Sequence, residues 1–271
     1  LHCMGGKRLP AVVVRRIIEN TDGVPLFIEE FTRTVLESDV LQETPGGFEL
    51  RVALPVALIP DNLRDSLAAR LDRLDAGRAV ARRASVIGRR FRRGLLAALC
   101  GSDEALVQQG LQELLAAGLV FALEGSDQDF EFKHALVQAA AYDSMLRRDR
   151  LMLHGLLAGE LLRRDPGLMQ RQPELLAHHH SEAHQWSKAV QLWLRAGQMA
   201  LGRSANHEAV LHLRAGLALV GHLTPEEGAQ LELSLLSTLA PAIKVTRGFT
   251  APELETLYAR VEALCQVMPD R

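Results

Sequence analysis

Histidine is the residue this sequence concentrates most conspicuously, in the run His178-His179-His180 with His184 just beyond it. Imidazoles at helical spacing are the commonest way to hold zinc, so the chemistry to weigh first is metal binding. His180 and His184, four apart, can share one face of a helix, whereas adjacent histidines point about 100° apart and do not chelate on their own. The H-E-x-x-H pattern is absent, because Glu182 stands two residues after His180. These histidines therefore read as surface or packing residues, and no metal site is expected.

Phosphate chemistry is the second possibility. Gly5-Gly6-Lys7 is followed by Arg8, and no strand-like stretch precedes it, so the G-x-x-x-x-G-K-[ST] cradle is missing. A G-x-S-x-G nucleophile elbow is also missing, and the carboxylates fall on helix faces without forming an inward-pointing pair. No catalytic residue is expected. One histidine keeps an anion-facing position: in FEFKHALVQAAAYDSML, the alternating strand Phe130 to Lys133 runs into a helix that opens at His134. Free backbone N–H groups at a helix start attract anions. Val137, Ala141 and Met145, with Ala140 and Ser144 beside them, give that helix a buried stripe.

The elements that would position these residues are mostly helical. With 48% hydrophobic residues, 4% aromatics and a formal net charge of −2, the chain suits a globular, helix-rich protein with no global field toward nucleic acid or an acidic membrane. Cys3, Cys100 and Cys265 are far apart and read as ordinary thiols of a reducing compartment. Charges interrupt every apolar run before membrane-spanning length. Because the chain begins at Leu1, without a leader, it reads as a piece of something longer, whose catalytic part lies elsewhere.

Leu9 to Glu19 is a predicted helix stopped at Gly23, and Pro25 opens the next, PLFIEEFTRTVLES. Thr44 to Pro60 reads as a turn, a short extended piece and a proline-limited linker. Leu63, Leu67, Leu71 and Leu74 mark a further helix capped by Asp61. Three short helices follow, Gly77 to Ile87, Arg92 to Leu99 and Asp103 to Ala117, and then a hairpin of LVFAL and DFEFK.

Three helices and a hairpin are the order of a winged helix, a fold that often reads DNA through its third helix. Here that helix carries Asp103, Glu104 and Glu113 and no Lys or Arg, so phosphates would repel it. No direct DNA binding is expected. The arginines from Arg78 to Arg93 read as a solvated face or a contact with a neighbouring domain.

Beyond Arg147 the sequence reads as successive helices: Arg150 to Arg163, Pro173 to Ala183, Ser187 to Leu201 and His207 to Val220. Capping boxes at Thr224 to Glu227 and Thr250 to Glu253 start two more. Ala189-Val190 with Leu194-Arg195-Ala196-Gly197 is echoed by Ala209-Val210 with Leu213-Arg214-Ala215-Gly216. Small residues recurring in helices of similar length indicate a stacked α-solenoid, an architecture that binds partners rather than catalysing.

The succession GVPLFIEEFTRTVLES, IPDNLRDSLAARLDRLD, ASVIGRRF, FEFKHALVQAAAYDSML and PELLAHH resembles the STAND-type signal-transduction ATPases. More narrowly, it resembles the ATPase and repeat region of large bacterial class III adenylate/guanylate cyclases. AVQLWLRAGQMALGRSA and KVTRGFTAPELETLYARVEALC are similar to that group's tetratricopeptide-like repeats. The resemblance implies a mainly α fold in three parts. Residues 1–75 would be the helical lid of a truncated ATPase module, 76–148 a winged helix with a small β-hairpin, and 149–271 an α-solenoid of tetratricopeptide-like repeats.

It also implies a cytoplasmic, non-catalytic regulatory fragment, with a P-loop ATPase domain and a cyclase domain upstream in the same chain. ATP or ADP would be held by the full-length protein and not by this fragment alone. A protein or small molecule would bind the repeats. The nucleotide-facing residues carried over are Gly23 and Pro25, from a G-x-P turn, and His134, which in some relatives contacts the β-phosphate of ADP. The Asp that follows this histidine in the family is here Ala135. A transcriptional activator of the same superfamily, with its DNA-binding domain outside this stretch, is the alternative that the resemblance leaves open.

Overall fold

The computed structural model describes residues 63–123, 125 and 128–267, and before them residues 9–10, 13–14, 28, 32, 36, 41–44 and 47–50. These residues are mostly helical, with one three-stranded antiparallel sheet and one two-stranded hairpin. The chain divides into two compact units, Leu1–Met145 and Leu146–Arg271. Among the described residues, no helix is long and apolar enough to cross a membrane.

In the first unit, Val13, Val14, Ile28, Thr32 and Leu36 are helical, as the sequence leads one to expect. Gly23 and Pro25 lie outside the described residues, as does the cap expected at Asp61. Strands β1 (Leu41–Thr44) and β2 (Gly47–Leu50) pair antiparallel, Leu41 opposite Leu50, where the sequence suggests only a turn and an extended piece.

Next come α1 (Leu63–Asp72), α2 (Ala76–Ile87), β3 (Arg90–Arg92), α3 (Arg93–Leu99), α4 (Glu104–Ala116), β4 (Val120–Ala122), β5 (Asp129–Phe132) and α5 (Ala135–Asp143). Asp103 caps α4 by accepting from the Leu106 N–H at 2.9 Å. Gly118, at φ 63°, turns the chain out of that helix into β4. The sheet order is β3-β5-β4, with Arg90 opposite Glu131 and Val120 opposite Phe132.

One core unites these elements. Leu67 and Leu71 of α1, Val80 and Ala84 of α2, Leu111 and Leu114 of α4, Phe91, Phe130 and Phe132 of the sheet, and Val137 and Ala141 of α5 all belong to it. Gly110 lets α4 approach α2: a Cβ there would lie 2.8 Å from the Ala76 carbonyl oxygen and 2.4 Å from Val80.

The arginines expected on a solvated face are largely exposed and also pair with acceptors of the same unit. Arg82 donates to the Ser144 hydroxyl and carbonyl, Arg83 to the Leu99 and Ala79 carbonyls, and Arg93 to Glu104 and Gln108. Arg78 pairs with Asp72 and Arg92 with Asp129. Arg89 and Arg90 clamp the buried carboxylate of Glu131 at 2.9 and 2.6 Å. Ser144, expected beside the buried stripe of α5, is exposed instead, because α5 ends at Asp143 and the hydroxyl meets Arg82.

The second unit comprises α6 (Arg147–Arg164), α7 (Leu168–Arg171), α8 (Pro173–Glu182), α9 (Trp186–Gly202), α10 (Asn206–Leu217), α11 (Pro225–Arg247) and α12 (Pro252–Val267). Helix α6 packs on α8, α8 on α9, α9 on α10, α10 on α11 and α11 on α12. The echoed small residues sit at successive crossings: Gly197 of α9 faces Leu213 of α10, and Gly216 of α10 faces Leu235 of α11.

The turns repeat as well. After α8, the N–H of Gln185 bonds to the His180 carbonyl and that of His184 to Ser181; after α9, Ala205 bonds to Ala200 and Ser204 to Leu201. His184 and Ser204 hold φ of 55° and 61° in those matching turns. Thr224 caps α11 as expected, accepting from the Glu227 N–H. The second expected box differs: Glu253 gives its carboxylate to Arg214 and Arg247 instead of closing back on Thr250.

Candidate functional site

His134 stands where the sequence puts it. It follows β5, the central strand, after Lys133, and is the N-cap of α5, with extended backbone at φ −138° and ψ 149°. Its carbonyl accepts from the Val137 N–H at 3.0 Å, while its side chain makes no capping bond to the helix. Lys133 is tied to the sheet through its N–H and the Leu119 carbonyl, and Val137, Ala140, Ala141 and Met145 bury the helix behind it. The half-buried imidazole is thus carried on a fixed strand-to-helix junction. The helix it opens has no acidic residue in its first turn, so nothing there opposes an anion.

His180 and His184 take packing roles as read from the sequence, but not on one helix face. Helix α8 ends at Glu182, so His184 is not on it. Its ring stacks on Trp186 at 4.4 Å, and Trp186 stacks in turn on His222 at 4.4 Å. His180 meets Gln185, Nδ1 to Oε1 at 2.7 Å. The pair expected to share one face is therefore divided between two packing roles.

A histidine that the sequence reading passed over joins the other two. His154 of α6 lies 3% exposed among Leu153, Leu157 and Ala158, and its ring meets His178 and His179 of α8. His154 Nδ1 and His179 Nδ1 are 2.9 Å apart, so one of the two carries the shared proton. The His178 ring stands edge-on to His154, with centroids 5.8 Å apart, and is exposed on its outer side.

One ring nitrogen from each of the three lies within 4.8 Å of the others. Burial lowers the His179 imidazole to about 3, helped by its histidine neighbours, and lowers His154 to about 4 against the opposing charge of Glu182. Both rings are neutral at pH 7, so at their contact one Nδ1 donates and the other accepts. An isolated histidine inside the leucine-rich stretch LMLHGLL was the available sequence signal.

Beside this cluster the second unit carries a half-open cleft of about 440 Å³. Gly155 and Gly159 of α6 keep one wall low, Leu162 and Leu192 make it apolar, and Lys188 and Arg195, two turns apart on α9, supply positive charge.

A curated protein of Rhizobium meliloti (strain 1021), described only as an uncharacterized protein, is 28% identical to this chain over 242 residues. The similarity covers 87% of this chain and 23% of that protein, so the chain spans less than a quarter of the relative's length. No family model matches the chain. No solved structure matches it.

Proposed function

We propose that the chain is the non-catalytic regulatory region of a cytoplasmic, multidomain signalling ATPase, and within that class the nucleotide-sensing and partner-binding region of an adenylate or guanylate cyclase. In this reading the three helices and three-stranded sheet of the first unit are a winged helix, and the helices ahead of them a lid. The second unit is a tetratricopeptide-like α-solenoid. The observation that carries the reading is His134: an imidazole at the N-cap of α5, separated from the central strand by Lys133, in a unit followed by a helical array with recurring turns and crossings.

The mechanism is one of linkage. ATP or ADP would be held by a P-loop domain upstream, with Gly23, Pro25 and His134 turned to its phosphates, and exchange of nucleotide would change which arrangement of the region is favoured. An effector on the array biases the same equilibrium only by binding one arrangement more tightly. The cleft beside Lys188 and Arg195 suits such an effector, with an anionic group for the two cations and an apolar body for Leu162 and Leu192. DNA is a poor partner for the first unit, since α4 exposes Glu104 and carries no Lys or Arg.

The test uses the longer protein that this reading requires. His134→Ala should change the amount of ADP that survives purification, measured on the denatured protein by chromatography. Unchanged retention rejects the sensing role. The coding sequence upstream should contain a P-loop and a cyclase catalytic domain; a helix-turn-helix domain in their place would redirect the reading to a transcriptional activator.

A further inference from the structure

We propose that His154, His178 and His179 form a binding site for a divalent transition-metal ion of the zinc class, clamping α6 to α8. The inference is independent of the ATPase reading and rests on placement alone. Three imidazoles from two helices bring one nitrogen each within 4.8 Å of the others. Zinc at about 2.0–2.1 Å from each nitrogen holds tetrahedral ligands about 3.3 Å apart. His154 Nδ1 and His179 Nδ1, now 2.9 Å apart, need to open by only a few tenths of an ångström.

The arrangement explains something that a hydrogen-bonded histidine pair leaves unexplained. A pair sharing one proton needs only His154 and His179, both buried; His178 adds a third ring on the open side of the same point. That is how a site admits its ion: two ligands fixed in the interior and one at the mouth. The histidines adjacent on α8 lie 5.2 Å apart between ring centroids, and the third ring, from another helix, closes a triangle with them at 5.2 and 5.8 Å.

Ligation balances without net proton release from the pair. Each neutral ring keeps one proton, and the ring now protonated at Nδ1 shifts it to Nε2 as Nδ1 turns to the metal. Three protein ligands leave a coordination position for water. Imidazole sets of this kind take zinc, cobalt, nickel and copper, and exclude magnesium and calcium, which prefer oxygen.

The experiment uses the whole chain without a polyhistidine tag, stripped with chelator and titrated with cobalt(II) alone. The expected result is a saturable visible ligand-field band at one equivalent, erased by zinc(II), together with a rise in melting temperature on adding zinc. His178 is exposed, so His178→Ala leaves the fold intact; it should weaken cobalt binding by at least about tenfold and cancel the zinc-dependent melting shift. His184→Ala, which removes a histidine of the same region outside the cluster, should change neither. A wild-type chain with no saturable cobalt signal overturns the proposal. So does equal loss in His178→Ala and His184→Ala, or a His178→Ala chain that binds as tightly as wild type.

Discussion

Glu131 and Glu160 are each gripped by two arginines adjacent in sequence, but the arginines come from different distances. Glu131, on β5, is held by Arg89 and Arg90 at the start of β3, so the contact joins strands far apart in the chain. Glu160, on α6, is held by Arg163 and Arg164 one turn along the same helix. The contrast extends to the rest of each unit. The first unit closes a single core from α1 through the sheet to α5, and its central strand, the last in sequence, lies between two strands that both precede it. In the second, each helix packs mainly on the next. A closed unit is lost as a whole, whereas an array in which neighbours hold neighbours can lose one part and keep another.

The largest effect should come from the sheet. Phe132 is fully buried on the central strand, and Phe132→Ala should cost about 4 kcal/mol and lower the stability of the whole first unit together. Leu213→Ala, at the α9–α10 crossing, removes a side chain that is equally buried and should cost about 3 kcal/mol. Its consequences should be confined: hydrogen exchange should speed up in α9 to α11 while α6 and α8 keep their protection. Uniform loss of protection across both ends of the array would erase the contrast.

Helix crossings sharpen the comparison next. A Cβ at Gly110 meets a backbone carbonyl, which cannot step aside without moving α2, so Gly110→Ala should cost about 3 kcal/mol. A Cβ at Gly197 meets first the Leu213 side chain, which can change rotamer, and Gly197→Ala should cost about 1 kcal/mol. Urea midpoints of the two variants check the order. After these comes the ion pair of the first unit. Replacing Arg89 and Arg90 together by Ala strands a buried carboxylate and should cost about 2 kcal/mol by the same measurement.

Local signals explain how much of this was legible. Asp103, Gly118 and Thr224 marked helix ends because a cap acts on residues three or four away, and the alternation of β5 followed by the stripe of α5 put His134 at its junction. Strand β3 escaped notice because its three residues, with Phe91 alone apolar, hold no period; only pairing with β5 makes it a strand. The histidine cluster was hidden for a related reason. Judging His178 and His179 by their own helix gives directions about 100° apart, and nothing local reveals that α6 places His154 against both. His180 and His184 are four apart, but the helix stops at Glu182 and His184 takes a left-handed turn, so the i to i+4 spacing does not put them on one face.

The smallest predicted effect tests the local half of the comparison. Hydrogen bonds from Arg163 and Arg164 lower the Glu160 carboxyl to about 2 from its ordinary value of 4.5. A carboxyl lowered by folding contributes stability that is complete above its unfolded value and is lost as pH falls through the folded one. The contribution of Glu160 should therefore be intact at neutral pH and fade between about pH 4.5 and about pH 2. Because both arginines are solvent-exposed, salt should screen it strongly. Measured as the difference in melting temperature between wild type and Glu160→Gln, the effect should be small at about pH 7, smaller still at about pH 3, and nearly abolished by about 1 M salt. A difference that survives salt would mean that this same-helix clamp is shielded like the buried one at Glu131, and the distinction between the two units would then lie in their packing alone.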